Sequence, residues 1–481
     1  MDARHKAGHD EEGAMPDIKS LTAAELLRLY RKRELSPVEV TRNQLERIEK
    51  FEPAINGFII VDRDGALKSA QASEARWRKG EPAGPVDGVG ATVKDNIWLK
   101  GFPSRRGSVT SSTASMLEDA PAVARLRESG AVILGKTTLP EFGWIGACHS
   151  PLTGVTRNPW KLDRTTGGSS GGAAAAALLN LGHLHIGTDG AGSIRIPAAF
   201  TGVFGIKPSY GRVPAYPASP FSILAHLGPL TRTVTDAALM LSVIGGPDAR
   251  DMTAWNTPAP DFRVGLDDGI RGLRVAWSPR LGYVKQLHPE VEAATAKAAQ
   301  AFAALGAIVE EADPGFAEPY DTIMTLWGGV SAVVVGAIAE KDRARMDPGF
   351  VKIAEGGKHV TLADYLKAYT ARQDLAIAME RFHEKYDLLL TPQMPIPALE
   401  AGRVTPADGS FGDNWINWSP YTYPFNLTQQ PAASVPCGFS SDGLPIALQI
   451  VGPARQDHLV LRAARAFESA QPFATLDAPR G

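Results

Sequence analysis

The chain contains very little cysteine. Only Cys148 and Cys437 occur in its 481 residues, and they form neither a CxxC pair nor a closely spaced set. Disulfide frameworks and cysteine-based metal sites both need several cysteines, so the sequence argues against both kinds of site. Two free thiols are typical of a protein from a reducing compartment, and we expect a cytoplasmic location.

An excess charge of either sign is also missing. Lys and Arg total 50 and Asp and Glu total 52, which gives a formal net charge of -2. This balance gives no reason to expect nucleic acid or an anionic membrane as a partner. No uncharged apolar run reaches the roughly 18 residues of a membrane-spanning helix. Residues 1–16 mix both charges without an apolar core, so we expect a flexible tail rather than a signal peptide.

What the sequence does contain is an alternation of helical and β-rich patterns. Thr22 with Glu25, and Ser36 with Glu39, form capping boxes before apolar residues at helical spacing. The runs VARLRESGAVILG and VEAATAKAAQAFAALGAIVEE each place a helical pattern before a strand pattern. This alternation predicts an α/β fold with a mostly parallel or mixed sheet in one large domain.

Two serines lie in glycine clusters 24 residues apart, Ser169 in TTGGSSGG and Ser193 in TDGAGS. GGSSG matches the G-x-S-x-G nucleophile elbow, which needs a buried strand directly before it. The preceding NPWKLDRTT is polar and interrupted by proline, which argues against that motif. The Ser193 loop follows the strand-like HLHIG, and Gly190, Ala191 and Gly192 allow several backbone N–H groups to converge. Such a loop is either an oxyanion hole or a tight structural turn.

Metal and phosphate chemistry have weaker signals. Neither glycine cluster has the spacing of a phosphate-binding loop. His183 and His185 would share one face of a strand, but no third ligand of a suitable type lies near them in the sequence. We therefore predict no metal and no cofactor, and we interpret the two histidines as packing residues.

Lys94 directly follows the apolar run VGATV. Such a lysine usually extends to solvent or pairs with a neighbour such as Asp95. A lysine buried beside hydroxyl groups instead has its pKa lowered from about 10.4 and can act as a base near neutral pH. If Lys94 lies on a strand, the Asp95 side chain points to the opposite face. The residues alone leave this choice open.

Four segments occur in order along the chain: GPVDGVGATVKDN, TTGGSSGGAAAAALLNLGHLHIGTDGAGSIRIPAAFTGVFGIKP, TYPFNLTQQPAASVPCG and GLPIALQIVGP. Together they resemble the amidase signature family, and the likeness covers about residues 18–470. The resemblance implies one domain over 17–475, built on a mixed central β-sheet that helices cover on both faces.

The resemblance also implies a Ser–cis-Ser–Lys triad. Ser193 would be the nucleophile, Ser169 the bridging serine joined to its neighbour by a cis peptide bond, and Lys94 the base. The proton would pass from Ser193 through Ser169 to neutral Lys94, so no histidine would be needed. The backbone N–H groups of residues 190–193 would form the oxyanion hole.

Supporting roles follow from the same segments. Asp189 and Arg195 flank the nucleophile loop, and we expect them to pair and hold it. Ser170 is expected to support the network by hydrogen bonding. Arg105 and Arg106 stand where the family commonly has small hydroxyl residues, a change that would alter the pocket rim or bring an anion nearby.

The predicted function is hydrolysis of a carboxylic amide to an acid and an amine or ammonia through an acyl-enzyme. One alternative is the A-type subunit of glutamyl-tRNA amidotransferase, but that subunit typically reads SIRQP where this chain reads SIRIP, with Ile196. A related ester or amide hydrolase is a second alternative. A non-catalytic binder is a third, and it would not need to retain the whole triad.

Substrate and oligomeric state have weaker signals. Aromatic residues near the predicted site suggest a small apolar or aryl amide if they face it, with packing as the alternative; the candidates for substrate binding are Gly143, Trp144, Trp415 and Trp418. The helices within residues 22–50 are amphipathic, and by analogy with similar enzymes they could pack a second copy of the chain in a homodimer.

Overall fold

The computed structural model describes residues 17–480, so the predicted tail over residues 1–16 lies outside the described residues. The helices in chain order are α1 (Ala23–Lys32), α2 (Pro37–Ile55), α3 (Arg63–Lys79), α4 (Pro121–Glu128), α5 (Gly171–Leu178), α6 (Arg195–Thr201), α7 (Val234–Ile244), α8 (Pro289–Ala304), α9 (Tyr320–Gly336), α10 (Glu340–Arg343), α11 (Pro348–Gly357), α12 (Leu362–Lys385), α13 (Pro424–Leu427) and α14 (Asp457–Ala470). The strands are β1 (Phe58–Val61), β2 (Gly90–Lys94), β3 (Val132–Thr137), β4 (His149–Ser150), β5 (Gly154–Val155), β6 (Arg157–Asn158), β7 (Lys161–Thr165), β8 (Leu184–Asp189), β9 (Phe204–Lys207), β10 (His226–Thr231), β11 (Arg274–Trp277), β12 (Ile308–Glu311), β13 (Leu388–Pro392), β14 (Ala432–Phe439) and β15 (Pro445–Val451).

Eleven strands form one mixed sheet in the order β1-β3-β2-β8-β10-β9-β14-β15-β13-β11-β12. The pairs β2–β3, β2–β8, β11–β12 and β11–β13 are parallel, and the remaining pairs of this sheet are antiparallel. Strands β4 and β5 form a separate two-stranded sheet, as do β6 and β7. The predicted α/β fold with a mixed sheet is confirmed.

Both faces of the sheet are buried, as alternation along β3 shows. Ile133 belongs to an apolar cluster with α4, α7, α8 and α14, whereas Val132 and Leu134 belong to a cluster with α2, α3 and α5. Successive side chains of a strand point to opposite faces, so these two clusters cover opposite sides of the sheet. A further apolar cluster packs α9, α11 and α12 together with a group of tryptophans.

The helix-start signals in the sequence have the expected geometry. The side chains of Thr22 and Glu25 form the capping box of α1, and those of Ser36 and Glu39 form the capping box of α2. Each box satisfies backbone N–H groups that the first helical turn leaves without partners. These two predicted helix starts are confirmed.

The apolar faces of α1 and α2 pack within this chain. Leu26 and Tyr30 of α1 pack with Trp77 of α3, and Leu45 and Ile48 of α2 belong to the cluster beneath β3. The amphipathic pattern of these helices is therefore explained by burial within the chain. It no longer provides a reason to expect a homodimer surface, and the oligomeric state stays a prediction.

Among residues 17–480, no helix combines the length and the apolar character needed to cross a membrane.

Helices α9 and α11 cross at two glycines, which gives a test of this packing. A Cβ atom at Gly357 would overlap the backbone carbonyl of Gly328, whereas a Cβ at the adjacent Gly356 would meet no atom within 4 Å. We expect Gly357→Ala to lower the free energy of unfolding by about 1–3 kcal/mol through overpacking. Gly356→Ala is the matched control and should be neutral or stabilising, because alanine favours the helix. Urea unfolding midpoints measure both changes, and equal midpoints for the two variants would contradict the predicted crossing.

Candidate active site

Two parallel strands bring distant parts of the sequence to one edge of the sheet. In the β2–β8 pair, Val93 is in register with Ile186. Lys94 is the last residue of β2 and Asp189 is the last residue of β8. Because the carboxyl ends of parallel strands lie at the same edge, the candidate lysine lies beside the loop that carries Ser193.

The Lys94 side chain is fully buried and surrounded by hydroxyl groups. Its Nζ donates hydrogen bonds to Ser169 Oγ at 2.7 Å, Ser170 Oγ at 2.9 Å and Thr188 Oγ1 at 2.8 Å. Thr188 also accepts a hydrogen bond from the Asn96 side-chain amide at 3.2 Å. The amine is thus held at three hydroxyl groups, one of which belongs to the candidate bridging serine.

Burial lowers the pKa of Lys94 to about 7, even though charges at Cys148 and Asp189 act in the opposite direction. Near neutral pH a substantial fraction of this lysine is therefore a neutral amine. The neighbouring carboxylate does not oppose this shift: Asp95 Oδ1 lies 2.8 Å from the Nζ of the buried Lys136. The prediction that Asp95 leaves Lys94 without a carboxylate partner is confirmed.

Ser169 and Ser193 line the same cavity. The peptide bond between Gly168 and Ser169 is cis. The two serine loops are joined by a hydrogen bond from the Ser170 N–H to the Ser193 carbonyl at 3.0 Å. The Ser170 hydroxyl accepts from Lys94 and donates to the Thr188 carbonyl at 3.2 Å. Within the described residues the Ser193 hydroxyl has no hydrogen-bond partner, and it lies at the cavity.

A buried ion pair holds the loop between β8 and α6. The Arg195 guanidinium contacts both carboxylate oxygens of Asp189, with Nε 3.0 Å from Oδ2 and Nη2 3.1 Å from Oδ1. Neither side chain is exposed to solvent. Burial alone would raise the pKa of Asp189, but the Arg195 charge and hydrogen bonds outweigh it and hold this pKa well below its usual range. The predicted pairing of the two residues is therefore present.

The ion pair also reaches elements far along the chain. Arg195 donates to the Gln449 side chain of β15 at 2.7 Å and to Asn426 Oδ1 of α13 at 2.6 Å. Asn426 in turn donates to Asp189 Oδ1 at 2.9 Å. A third donor bond runs from Arg195 to the Thr422 carbonyl at 2.9 Å. The loop between β8 and α6 is thus held from three directions.

The predicted set of oxyanion-hole donors needs one correction. The Gly192 N–H donates to Asp189 Oδ1 at 2.7 Å, so the carboxylate already occupies this group. The N–H groups of Gly190, Ala191 and Ser193 donate to no other group among residues 17–480. Gly190 and Ser193 also line the cavity. Gly192 therefore serves to fix the loop, and the other three N–H groups remain candidates.

The structure places the three predicted substrate-binding tryptophans in the packed core. Trp144, Trp415 and Trp418 are at most 2% exposed, and none lines the cavity. Trp415 packs edge-on against Trp327, with ring centroids 5.7 Å apart, and Trp327 is the indole that reaches the cavity. The three tryptophans therefore pack behind the cavity wall and do not contact a ligand in the cavity.

Gly143 is the member of that group that does line the cavity. Its φ is +75°, and a Cβ atom there would lie 3.1 Å from Ser169 Oγ. A side chain at this position would be strained and would crowd the hydroxyl. Gly143 thus keeps space open beside Ser169.

The two sequence-selected histidines lie away from the cavity. His183 precedes β8 instead of lying on it; its Nδ1 accepts from the Gln44 side chain at 2.9 Å and its Nε2 contacts the Leu21 carbonyl at 3.1 Å. His185 contacts Thr92 Oγ1 at 2.8 Å. Burial lowers the pKa of each to about 3, so both are neutral packing residues. Among residues 17–480 no group of three His, Cys, Asp or Glu side chains could hold a metal.

The segment before Ser169 contains a strand that its polar sequence did not predict. Strand β7 ends at Thr165, only a few residues before the serine. It pairs with β6, forms an isolated bridge to Glu400 and is partly exposed, so it is no central strand of the main sheet. The structural context of a nucleophile elbow is therefore still lacking.

Several cavity residues were not found from the sequence. Thr188 and Asn96 adjoin candidate residues in the chain, but polar residues beside a motif have no distinctive pattern of their own. The segment over residues 215–221 and Trp327 form much of the remaining wall. Only the pairing of β2 with β8 places Thr188 against Lys94.

Comparisons with known proteins show what this chain is similar to. The family model for amidases matches residues 39–461. An acylamidase from Rhodococcus erythropolis is 36% identical over 465 residues, covering 94% of this chain and 96% of its own length. The A-type subunit of the glutamyl-tRNA(Gln) amidotransferase from Myxococcus xanthus is 35% identical, covering 96% of this chain and 99% of its own length.

Among solved structures, a bacterial aryl acylamidase of the amidase signature family superposes with a TM-score of 0.87 at 30% identity, covering 95% of this chain and 97% of its own. The chain belongs to the amidase signature family. This membership supports the predicted enzyme class, an amidohydrolase that acts on carbon–nitrogen amide bonds.

The buried ion pair of the loop can be tested by stability. Arg195→Met leaves the Asp189 carboxylate buried without its cation, and we expect a loss of about 3–5 kcal/mol in the free energy of unfolding. Arg250→Met removes a partly exposed partner of Asp248 and should cost no more than about 1 kcal/mol. Urea unfolding at neutral pH measures both, and equal losses would contradict the assigned role of the pair.

The same pair gives a sign for the pH dependence of stability. The folded pKa of Asp189 lies below its unfolded value of about 3.9, so its contribution is present above that pH. The contribution is lost as the pH falls through the folded value. The difference in the free energy of unfolding between the wild type and Arg195→Met, measured in urea, should therefore shrink as the pH falls.

Proposed function

We propose that the protein hydrolyses carboxylic amides to an acid and an amine or ammonia, with Ser193 as the nucleophile, Ser169 as the bridging hydroxyl and Lys94 as the base. The observation that carries this proposal is the buried Lys94 amine 2.7 Å from Ser169 Oγ, at a cavity that Ser193 also lines. A serine hydroxyl needs a nearby base to attack an amide, and no histidine is present among the described residues that line this cavity.

Three donated hydrogen bonds belong to the protonated form of Lys94. The neutral amine has two N–H groups and a lone pair, and the relay begins when this lone pair accepts the proton of Ser169. Ser169 then takes the proton of Ser193 as the Ser193 oxygen attacks the substrate carbonyl carbon. The hydrogen bond between the two serine hydroxyls forms in the substrate complex, since catalytic hydrogen bonds often tighten only there. Collapse of the tetrahedral intermediate breaks the carbon–nitrogen bond, and the relay returns the proton to the leaving nitrogen. Water then hydrolyses the acyl-enzyme by the same route.

The negative charge of the intermediate needs donors that are free before substrate binds. The N–H groups of Gly190, Ala191 and Ser193 meet this condition, and the Asp189–Arg195 pair fixes the loop that carries them. Preformed donors of this kind stabilise the transition state without reorganising during the reaction. Ser170 supports the site by holding both Lys94 and the Thr188 backbone.

The main alternative is action as an amidotransferase A-type subunit within a complex. The likeness to the A-type subunits of glutamyl-tRNA amidotransferases is consistent with this function. The acylamidase and aryl acylamidase relatives, together with Ile196 after the nucleophile loop, favour the free-standing hydrolase. Hydrolysis of a simple amide by the isolated chain, without a partner protein, distinguishes the two functions.

Cytoplasmic location and a homodimer stay predictions. Gel filtration with light scattering at several concentrations measures the second, and a monomer at every concentration would contradict it. A small amide substrate, with no metal and no cofactor, completes the proposal. Loss of activity with a chelator and its recovery with zinc would contradict the metal-independent mechanism.

The nucleophile assignment predicts that Ser193→Ala loses amide hydrolysis by roughly 10³-fold or more, because no acyl-enzyme can form. The variant should also lose covalent labelling by a fluorophosphonate probe and keep the wild-type circular dichroism spectrum. Ser169→Ala serves as the comparison. Labelling that persists in Ser193→Ala but disappears in Ser169→Ala would exchange the two roles.

The base assignment predicts a pH profile. Lys94 acts only when unprotonated, so kcat/KM should rise with pH through an apparent pKa near 7. Lys94→Ala should lose this dependence and most of the rate, and amides should lose more than esters because the relay also protonates the amine leaving group. Lys94→Arg keeps the charge but cannot give up its proton, so it should be equally inactive. Near-native amide turnover by either variant would show that the base lies elsewhere.

A further inference from the structure

The cavity above the two serines has a largely apolar wall. Ile97 and Leu227, together with Phe142, Phe221 and Trp327, contribute most of its larger side chains. Such a wall suits an aliphatic or aryl group of a substrate. Among the described residues that line this cavity, one side chain is a lysine or an arginine.

That side chain is Arg106, which lines the cavity and is partly buried. Its backbone has a left-handed φ of +52°, and its carbonyl accepts a hydrogen bond from the Phe142 N–H at 2.7 Å. Phe142 precedes Gly143, the residue that adjoins Ser169. The backbone of Arg106 is thus fixed to the segment that lies beside the reacting groups.

The Arg106 guanidinium has no partner within the described part of the protein. Among residues 17–480 no side chain forms an ion pair with it and no group accepts a hydrogen bond from it. Burial lowers its pKa, and the charge of Asp95 only partly compensates. A partly desolvated cation without a partner is costly, so an anionic ligand at this position would gain a strong interaction.

The acidic groups near Arg106 are already paired. The nearby Asp95 lies against Lys136, with Nζ and Oδ1 2.8 Å apart. The one carboxylate among the described cavity-lining residues is Asp189, which Arg195 contacts through two hydrogen bonds. Lys94 is neutral in the reactive state. The guanidinium of Arg106 is therefore the one positive charge among the described cavity residues that no carboxylate compensates.

We propose that Arg106 binds a carboxylate carried by the substrate, so that the preferred substrates are amides with an apolar or aryl body and one carboxylate group. This inference rests on the proposed amidase function and names the substrate class for that same site. The planar guanidinium matches a carboxylate through two parallel hydrogen bonds. A phosphate dianion is a poorer match, because the apolar wall offers no second cation for its second charge.

The test uses two matched pairs of substrates. Acetanilide and para-acetamidobenzoate differ by a carboxylate on the amine side of the amide. Butyranilide and succinanilate differ by a carboxylate on the acyl side. Release of aniline or para-aminobenzoate gives kcat/KM for each. We expect the wild type to prefer the anionic member of at least one pair by roughly 10-fold or more.

Arg106→Gln should abolish this preference. We expect kcat/KM for the preferred anionic substrate to fall roughly 10- to 100-fold, the value of a lost charge-assisted contact, and that for its neutral counterpart to fall by less than about 3-fold. Arg105→Gln is the matched control. It removes an identical charge from the neighbouring residue, whose side chain does not line the cavity. It should keep the wild-type preference.

Two results would overturn the proposal. One is turnover of the neutral and anionic members at equal kcat/KM in both pairs. The other is an equal loss of preference in the Arg105→Gln and Arg106→Gln variants, which would indicate a diffuse field instead of a contact.

Binding of the anionic substrates to the inactive Ser193→Ala variant, measured by calorimetry, tests the anion site independently of the proposed amidase function. Binding of an anionic member that needs Arg106, with no turnover by the wild type, would support the anion site and contradict the amidase. Turnover of neutral amides without any effect of Arg106 would support the amidase and contradict the anion site.

Discussion

The contact on which the rest of the site depends is the fully buried pair of Asp189 and Arg195. A buried carboxylate is stable only when its charge is compensated and its oxygens are hydrogen-bonded, and here two loop N–H groups, an arginine and an asparagine amide do both. The same arginine reaches Gln449 and Asn426, so the loop between β8 and α6 is tied to α13 and β15. The position of Ser193 therefore depends on contacts of its loop with β8, α13 and β15.

Two buried lysines at one edge of the sheet differ in their partners. Lys94 and Lys136 occupy neighbouring parallel strands, and both are removed from solvent. Lys136 has Asp95 as its counter-charge, whereas Lys94 meets only hydroxyl groups. Burial therefore lowers the pKa of Lys94 to about 7. Asp95 directly follows the last residue of β2, and its carboxylate lies against Lys136 instead of Lys94.

Local sequence patterns predicted the helix starts correctly. They did not predict which aromatic side chains line the cavity. The capping boxes before α1 and α2 predicted both helix starts because they act within one turn. The sequence offers Trp415 and Trp418 as candidates for the pocket, but they pack behind Trp327. An aromatic residue buried in a core and one that lines a cavity look identical in sequence, because both are removed from water. Trp327 differs from Trp415 and Trp418 only in that it borders the cavity.

The sequence by itself predicted the class of fold from helix caps and alternating patterns, which are local features of the chain. The family and the three groups of the proposed relay came from the resemblance of four ordered segments to the amidase signature family, because the residues around Lys94 alone left its role open. Only the tertiary structure decided which hydroxyl groups contact Lys94, that the Gly192 N–H is taken by Asp189, and that Arg106 faces the cavity without a partner among the described residues. The physical reason is that these outcomes depend on strand pairing and on which side of a loop meets solvent. Both are settled between residues that lie far apart in the chain.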